Sequence, residues 1–452
     1  MTDEESSVRV GVLSLHTSKE TKAICNAVEA LGHEPEWLRH ENTAIAVDDN
    51  GITLEPDVDI IANRLLLSST EQPCEGLGLA RSMAELSPML NHPSDVFLAL
   101  HKFATATRLG NAGIPVPEAY LALDSAKLNE ARASFGEIAV YKTAIGTHGG
   151  GTWSVERDDI VNASVGNRRA FLQEMIYSES DRNRDVRVYV VDDHVVGAMY
   201  RYAPEHDWRT NVALGGAVED VTDDLPSDVR DIALSSTEAL GLDYAGVDLV
   251  EGPDGWHVLE VNPTAGFRGL FRATGRSPAP YIAAHAIRSA GGSVEDTQVA
   301  ELATTLDDST PTCKPQPNGI FARETSIVVG LTEEVTLIGT SGAESVVGKS
   351  DTGAARTSID TQLAAAIGAG PIKNITRVKS GSTKSSKTRP VVDVVVGIGG
   401  NQHTVTASIE DRSHMEYPVL LGRDILKEYN VDVRRSVEGQ QSDERTVPLA
   451  EE

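Results

Sequence analysis

Residues 245–269 read AGVDLVEGPDGWHVLEVNPTAGFRG, and the interpretation of the whole chain turns on this stretch. Pro253-Asp254-Gly255 is a turn signal between two short alternating apolar runs. The spacing predicts a β-hairpin with Asp248 on its first strand and Glu260 and Asn262 on its second. Side chains alternate across a strand with period two, so Glu260 and Asn262 share a face. Asp248 joins them in any register that pairs even positions with even. Two carboxylates and an amide oxygen are hard ligands suited to Mg²⁺ or Mn²⁺. They are too few to form a closed cage, so water or substrate phosphate must complete the shell. The plainer alternative is an acidic surface hairpin in an acid-rich protein.

Working upstream, Ile138 to Thr143 reads as a short strand carrying Lys142. It runs directly into Gly146-Thr147-His148-Gly149-Gly150-Gly151-Thr152. A glycine-rich turn between strands lets backbone N–H groups close over phosphates without side-chain obstruction. Lys102 falls on a helix expected to be capped near Ser94 and to end at Gly110 to Gly113. FLQEMI (171–176) is an apolar strand edge ending in Glu174, and Asp185 to Val191 is a strand from which Arg187 projects. Arg187, Arg201 and Arg209 lie in one predicted sheet region, where they either form an anion-binding patch or neutralise neighbouring acids. A helix from about Ser227 to Leu240 leads into the hairpin, and a terminal helix runs to about Ala290.

The first 95 residues alternate strand, helix and strand: Val8 to Leu13, Ser18 to Leu31, Val58 to Leu67. They are expected to form a small α/β domain with neither a P-loop nor a GxGxxG fingerprint. Residues 96–290 carry the signals above. Residues 291–320 are polar, with several prolines and no apolar period, and read as a linker. Residues 321–437 show many short β-like runs with Gly-rich turns, as in a small closed β domain. Residues 438–452 form an acidic tail expected to be disordered.

Composition narrows the setting. The chain has 452 residues, too many for one ordinary core, with 40 Lys+Arg against 67 Asp+Glu and a formal net charge of −27. Such a surface repels nucleic acid and anionic membrane, and it suits a salt-adapted, halophilic protein because high salt screens the self-repulsion. Before residue 314 the only lysines are Lys19, Lys22, Lys102, Lys127 and Lys142. In that background Lys102 and Lys142 stand out as compact point charges where a nucleotide site would want them. Cys25, Cys74 and Cys313 have no CxxC spacing, which argues against a disulfide framework or thiolate metal site. No signal peptide and no apolar run of membrane-spanning length is evident, so a cytoplasmic location is expected.

Taken in order, Lys102, Lys142, the glycine loop, Glu174, Asp185, WRTNVALGG (208–216), AGVDLV and LEVN (259–262) resemble the ATP-grasp fold. In particular they are similar to the RimK/LysX group of ATP-grasp carboxylate–amine ligases, over roughly residues 1 to 290. The resemblance implies an α/β (α+β) ATP-grasp architecture with an N-terminal pre-ATP-grasp domain. It also implies that ATP is held by Lys102, Lys142, Gly146, Thr147, Gly149, Gly150, Gly151, Glu174, Met175, Asp185, Arg209, Thr210 and Asn211. Arg209 and Asn211 would contact the acyl phosphate, and two ions, Mg²⁺ or Mn²⁺, would bind Asp248, Glu260 and Asn262. The implied reaction joins an amino acid, glutamate foremost, to a protein C-terminus or small acidic acceptor. Capping of a coenzyme's glutamate tail and LysX-like chemistry are alternatives from the same group. A homo-oligomer is expected, with no nucleic acid or membrane as partner. There are two departures from the family's pattern: Pro263 directly follows Asn262, ahead of Gly266-Phe267-Arg268, where the wall near the acceptor is expected, and Met175 stands where an aromatic is common.

Asp351-Thr352-Gly353-Ala354 and Val419-Leu420-Leu421-Gly422-Arg423-Asp424-Ile425-Leu426 resemble the paired signatures of a retropepsin-like all-β barrel. The resemblance is to the small domain, often labelled an ATP-dependent zinc protease, that accompanies RimK-type ligases. Aspartic proteolysis needs two carboxylates sharing a proton, and this motif offers only Asp351, so catalysis through it would require a dimer. There is no HExxH, and His403 and His414 lack a third zinc ligand. A dimeric aspartic peptidase regulated by the ATP-grasp part, or a barrel that merely recruits the acceptor, are the competing readings. The basic segment Lys373 to Arg389, in the position of a flap, either attracts an acidic tail or is only a solvated loop, and the loop is the reading adopted.

Overall fold

The computed structural model describes residues 7–49, 51–67, 73–146, 151–165, 168–177, 183–204, 208–210, 217–315, 327–370, 372–379 and 386–437. The chain divides into two compact units, residues 1–316 and 317–452. Among the described residues no helix is long and apolar enough to cross a membrane.

Among the described residues the first unit has three larger sheets and one two-stranded hairpin, Ala44–Asp48 with Gly51–Glu55. Apolar runs without polar alternation, such as Val10 to Leu13 and Ile60 to Ala62, are almost completely buried, as strands of a covered parallel sheet must be. They form a parallel sheet in the order Glu34–Leu38, Arg9–Leu13, Ile60–Asn63, Met89–Leu90. The helix Lys19–Ala30 covers it, opened by Ser18, whose hydroxyl accepts from the Thr21 N–H. A second, antiparallel sheet carries Ile138–Thr143 between Arg168–Glu174 and Thr152–Glu156. The third sheet is antiparallel throughout, in the order Ala217–Asp220, His194–Tyr202, Arg184–Val191, Tyr244–Gly252, Gly255–Asn262.

One residue ties the first sheet to the third. Asn91 is fully buried and has φ of 54°, a backbone conformation Asn tolerates better than most residues. Its side-chain amide donates to the carbonyls of Tyr244 (2.8 Å) and Pro263 (3.2 Å), and its oxygen accepts from the N–H groups of Asp243 and Tyr244. The Tyr244 hydroxyl reaches on to the Asn63 carbonyl at 2.8 Å.

Three expectations are revised. The helix anticipated from Ser94 to Gly110 is two helices, Pro93–Leu100 and Lys102–Asn111, because His101 adopts an extended backbone and caps the second. The stretch 291–320, read as a linker, holds the helix Asp296–Leu302, with Val299 buried against the first unit's core. Its continuation is pinned by Asn26, which donates to the carbonyls of Asp307 and Ser309. Its Cys313 meets Cys25, and that hydrogen bond together with burial pushes the Cys25 thiol up. Finally, Ile372–Lys379 and Ser386–Ile398 pair as an antiparallel hairpin, so much of the basic segment is strand rather than loop.

In the second unit, strands Thr332–Ile338, Ala343–Ser350, Val419–Leu421, Ser358–Asp360, Asn401–Glu410 and Ser386–Ile398 follow one another. Pairing of the last with the first closes a six-stranded barrel. Val335, Leu337, Val392, Val396, Val419 and Leu421 fill it. The tail 438–452 lies outside the described residues.

Candidate functional site

The hairpin predicted from residues 245–269 forms with Asp248 opposite Glu260 and Gly246 opposite Asn262, the even-to-even register that gathers Asp248, Glu260 and Asn262. The register then slips between Asp248 and Leu249, so Leu249 faces Val258 and Leu259 is left as the extra residue. Such bulges bend and re-aim a strand beside functional sites. Gly246 is required here for close approach, since a Cβ would fall 2.8 Å from that of Ala265.

Asp248 is 2 % exposed, and no such carboxylate stays ionised without partners. Arg187, directly across on the neighbouring strand, grips it through two hydrogen bonds of 2.6 Å, and Arg201 adds a contact at 2.9 Å. Arg201 simultaneously holds Asp185, 3 % exposed, at 2.7 and 2.5 Å, and the Thr210 hydroxyl also donates to Asp185. Burial nevertheless pushes the Asp185 carboxyl up, with Arg201 acting against it. Glu260 receives the Lys102 ammonium on one oxygen and the Asn262 amide, at 3.1 Å, on the other. Burial alone would raise it, but Lys102 and Asn262 hold its carboxyl well below the usual range.

Lys142 projects from the second sheet, and burial pushes it down to about 8, with the Lys102 charge acting the same way and Glu260 and Asp248 opposing. Gly146 and Gly151 flank the glycine loop. A Cβ on Gly151 would come within 2.3 Å of the Thr143 hydroxyl, so that close crossing needs glycine. Glu174 is exposed at its strand end, where its carboxylate accepts from the Glu118 N–H.

These side chains open onto a cavity of about 730 Å³, within the range of sites for small ligands and cofactors. Ile138, Val140, Met175 and Ile176 supply apolar wall; Lys102, Lys142, Arg187, Arg201 and Arg209 supply cations; Asp248, Glu260 and Asn262 supply hard oxygen. Gly146, Gly151, Glu174, Asp185 and Thr210 also line it. Thr147, Gly149, Gly150 and Asn211 fall outside the described residues. Asp351 lies in the second unit.

The donor set fits a polyphosphate with divalent ions: an apolar slot for a base, a group of cations and a small oxygen floor. Of the two sequence readings of the Arg patch, Arg187 and Arg201 follow the second: they neutralise neighbouring acids, Asp248 and Asp185. Sequence reasoning missed Arg64, His16 and Glu20, which line the same cavity from the first sheet and its first helix. It also missed Asn91, which joins the first sheet to the third.

In the second unit, Asp351 follows the strand Ala343–Ser350 and accepts from the N–H groups of Gly353 (2.8 Å) and Ala354 (3.2 Å). Asp424 of the second signature accepts from the N–H and the hydroxyl of Thr357, at 2.9 and 2.8 Å. Asp424 is thereby a clamp within the unit. His403 is buried, with its ring hydrogen-bonded to the Tyr429 hydroxyl, rather than poised as a zinc ligand.

Residues 99–285 match the model of the RimK-like ATP-grasp domain, and residues 362–439 match that of the retropepsin-like aspartic endopeptidase RimB. The chain is 36% identical over 197 residues to the tetrahydromethanopterin:alpha-L-glutamate ligase of Methanocaldococcus jannaschii, covering 41% of this chain and 66% of that protein. It is 30% identical over 244 residues to a Mannheimia succiniciproducens protein named probable alpha-L-glutamate ligase, covering 53% of this chain and 80% of that protein. In fold it is similar to the ATP-grasp ligase PsnB, solved with a phosphomimetic variant of a minimal precursor, Mg and ADP. There the TM-score is 0.50 and the identity 22%, over 62% of this chain and 98% of PsnB.

Proposed function

This chain belongs to the RimK-like ATP-grasp family of ligases, and on that premise we propose that it joins L-glutamate by an amide bond to an acidic acceptor, a protein C-terminus or small molecule. The observation that carries the reading is the even-to-even register of Asp248, Glu260 and Asn262 facing Lys142 and Lys102 across one cavity. Divalent ions held by Asp248, Glu260 and Asn262 would neutralise phosphate charge. Lys142 and the Gly146 and Gly151 backbone would hold the phosphates of ATP, with Arg209 and Thr210 beside them. Ile138, Val140, Glu174 and Met175 would seat its base and ribose. The acceptor's carboxylate oxygen attacks the γ-phosphorus and ADP leaves. The amine then attacks the acyl carbon, inorganic phosphate departs, and the amine gives up its proton. Positioning and charge supply this chemistry, and no side-chain nucleophile is needed.

Lys102 has a second task in this reading. Its ammonium occupies an oxygen of Glu260, so it must turn away when that oxygen takes a cation. The experiment is a screen of amino acids for ADP release by the purified chain with ATP and Mg²⁺, with mass analysis of acceptors from cytosolic extract. Glutamate-dependent ADP release with a glutamyl mass increment on an acceptor supports the proposal. Release with another amino acid alone refutes the choice of glutamate.

The held geometry of Asp351 favours a second, separate activity, aspartic proteolysis by paired copies of the second unit. Asp424 is committed to Thr357, so the second carboxylate of such a site would be another copy's Asp351. Asp351→Asn should abolish peptide cleavage and leave ADP release intact.

A further inference from the structure

Arg64 stands one residue beyond the strand Ile60–Asn63 and is only 5 % exposed. Its Nη2 donates to the carbonyls of Thr264 (3.2 Å) and Ala265 (3.3 Å), in the turn that follows the ligand Asn262. The guanidinium lies 5.2 Å from the centroid of the Phe267 ring. Its Nε is buried without a hydrogen-bond partner, and among the described residues no carboxylate lies within ion-pair distance of it. Glu20, the carboxylate within electrostatic reach, is engaged elsewhere, accepting from the Ser18 hydroxyl (3.0 Å) and the Phe267 N–H (3.4 Å).

A buried charge without a counter-ion is expensive, and an orphaned buried donor calls for an explanation. Here it is the more conspicuous because acids outnumber bases 67 to 40 in the chain. Arg187 and Arg201, on the same cavity, each hold a carboxylate of the protein, whereas Arg64 holds none. The side chain also lines the cavity, beside Thr264, Ala265 and Gly266.

We propose that Arg64 anchors a non-reacting carboxylate of a small acidic substrate, an inference that rests on the ligase reading above. Such a substrate brings, besides the group that reacts, one or more carboxylates that must leave water close to Asp248 and Glu260. A negative floor repels them unless a cation with spare donors receives them. A guanidinium is the side chain best matched to that task, because its planar donors complement a carboxylate and its charge persists when buried. The carbonyls of Thr264 and Ala265 fix its plane. They also link its position to the turn beyond Asn262, so substrate anchor and metal floor move as one piece.

The test is calorimetric titration of the full chain loaded with Mg²⁺ and a non-hydrolysable ATP analogue. The probes are L-glutamate, N-acetyl-L-glutamate, which resembles an acceptor because it has no free amine, and the N-acetylated diamide of glutamate, which is uncharged. The wild type should bind at least one acid, with the diamide more than tenfold weaker. Arg64→Met should weaken that acid at least tenfold while keeping the nucleotide analogue's affinity within twofold, and Arg64→Lys should recover part of the loss. Dependence seen with glutamate assigns the anchor to the amine donor; dependence seen with N-acetyl-glutamate assigns it to the acceptor. The inference is overturned if the diamide binds the wild type as well as the acids do, if neither acid binds, or if Arg64→Met leaves acid binding intact or weakens nucleotide equally. Should Arg64→Met not fold, the wild-type comparison of acid with diamide decides alone. Arg64-dependent acid binding without ADP release or amide product would keep this assignment and refute the ligase reading, so the two fail separately.

Discussion

Replacing Arg201 with Met breaks the buried network at its most shared member. Arg201 bridges Asp185 and Asp248, both under 5 % exposed. After its loss Asp248 keeps both hydrogen bonds from Arg187, while Asp185 keeps only the Thr210 hydroxyl among the side-chain donors described here. The damage therefore concentrates on Asp185. Removing one partner of a buried ion pair costs about 3 to 5 kcal/mol, chiefly because the other charge is left uncompensated. Asp185→Asn in the same chain removes that charge, so the double variant should be more stable than Arg201→Met alone by about 1 kcal/mol or more. The pH dependence follows from the same carboxyl, which burial holds above its unfolded value. A group shifted in that direction costs stability above its folded pKa and ceases to do so as pH falls towards the unfolded value. The deficit of Arg201→Met should therefore shrink on mild acidification. Urea denaturation followed by tryptophan fluorescence suits the measurement, because Trp37, Trp153, Trp208 and Trp256 all belong to the first unit. A loss below about 1 kcal/mol, or a double variant no better than the single, would refute the view that Arg201 is the counter-ion on which Asp185 depends.

Glu260→Ala should lower ATP turnover about a hundredfold or more, since it removes the oxygens expected to bridge the cations; substantial turnover at saturating Mg²⁺ would sink the metal assignment. Lys142→Met should stabilise the first unit at pH 7 by on the order of 2 kcal/mol, because burial penalises the charged amine. A folded pKa near 8 lies below the unfolded value of about 10.4. The penalty is thus complete below pH 8 and fades as pH rises towards 10, and a gain independent of pH would contradict this. Thr357→Val removes a hydroxyl that donates to Asp424 at 2.8 Å and accepts from the Gly422 N–H at 3.1 Å. It should cost the barrel about 1 to 3 kcal/mol, seen as faster hydrogen exchange at the Gly422 amide, and unchanged exchange would count against the clamp.

The gathering of Asp248, Glu260 and Asn262 could be read from sequence because strand alternation is local: Glu260 and Asn262 are two residues apart, and the turn at Pro253 to Gly255 fixes the partner strand. The bulge at Leu259 could not, since it depends on how the two strands coil against their neighbours. Strand and helix extents were visible wherever the apolar period was strong, as in Ser227 to Leu240. They were not visible at His101, where one extended residue divides two helices. The stretch 291–320 lacked a regular period because the apolar residues that dock it, Val299, Leu302, Ala303, Leu306 and Cys313 among them, are unevenly spaced, and side-chain hydrogen bonds from Asn26 help to hold it. Arg187, Arg201 and Arg209 were rightly grouped, but which acids they serve is a property of facing strands. Arg64 carried no local signal, since its partners lie two hundred residues downstream.

That distance bears on the order in which the protein is made. Arg64 meets Thr264 and Ala265 at separations of 200 and 201 residues, Lys102 meets Glu260 at 158, and Asn91 meets Pro263 at 172. Every one of these contacts closes on the last strand of the third sheet or the turn behind it. A chain emerging from the ribosome can build its parallel sheet early, but it has no cation floor and no moored Arg64 until residue 265 is free. On the proposed reading, products that end before residue 245 would retain Lys102, Lys142 and the glycine-loop segment yet lack Asp248, Glu260 and Asn262, and so would be unable to consume ATP.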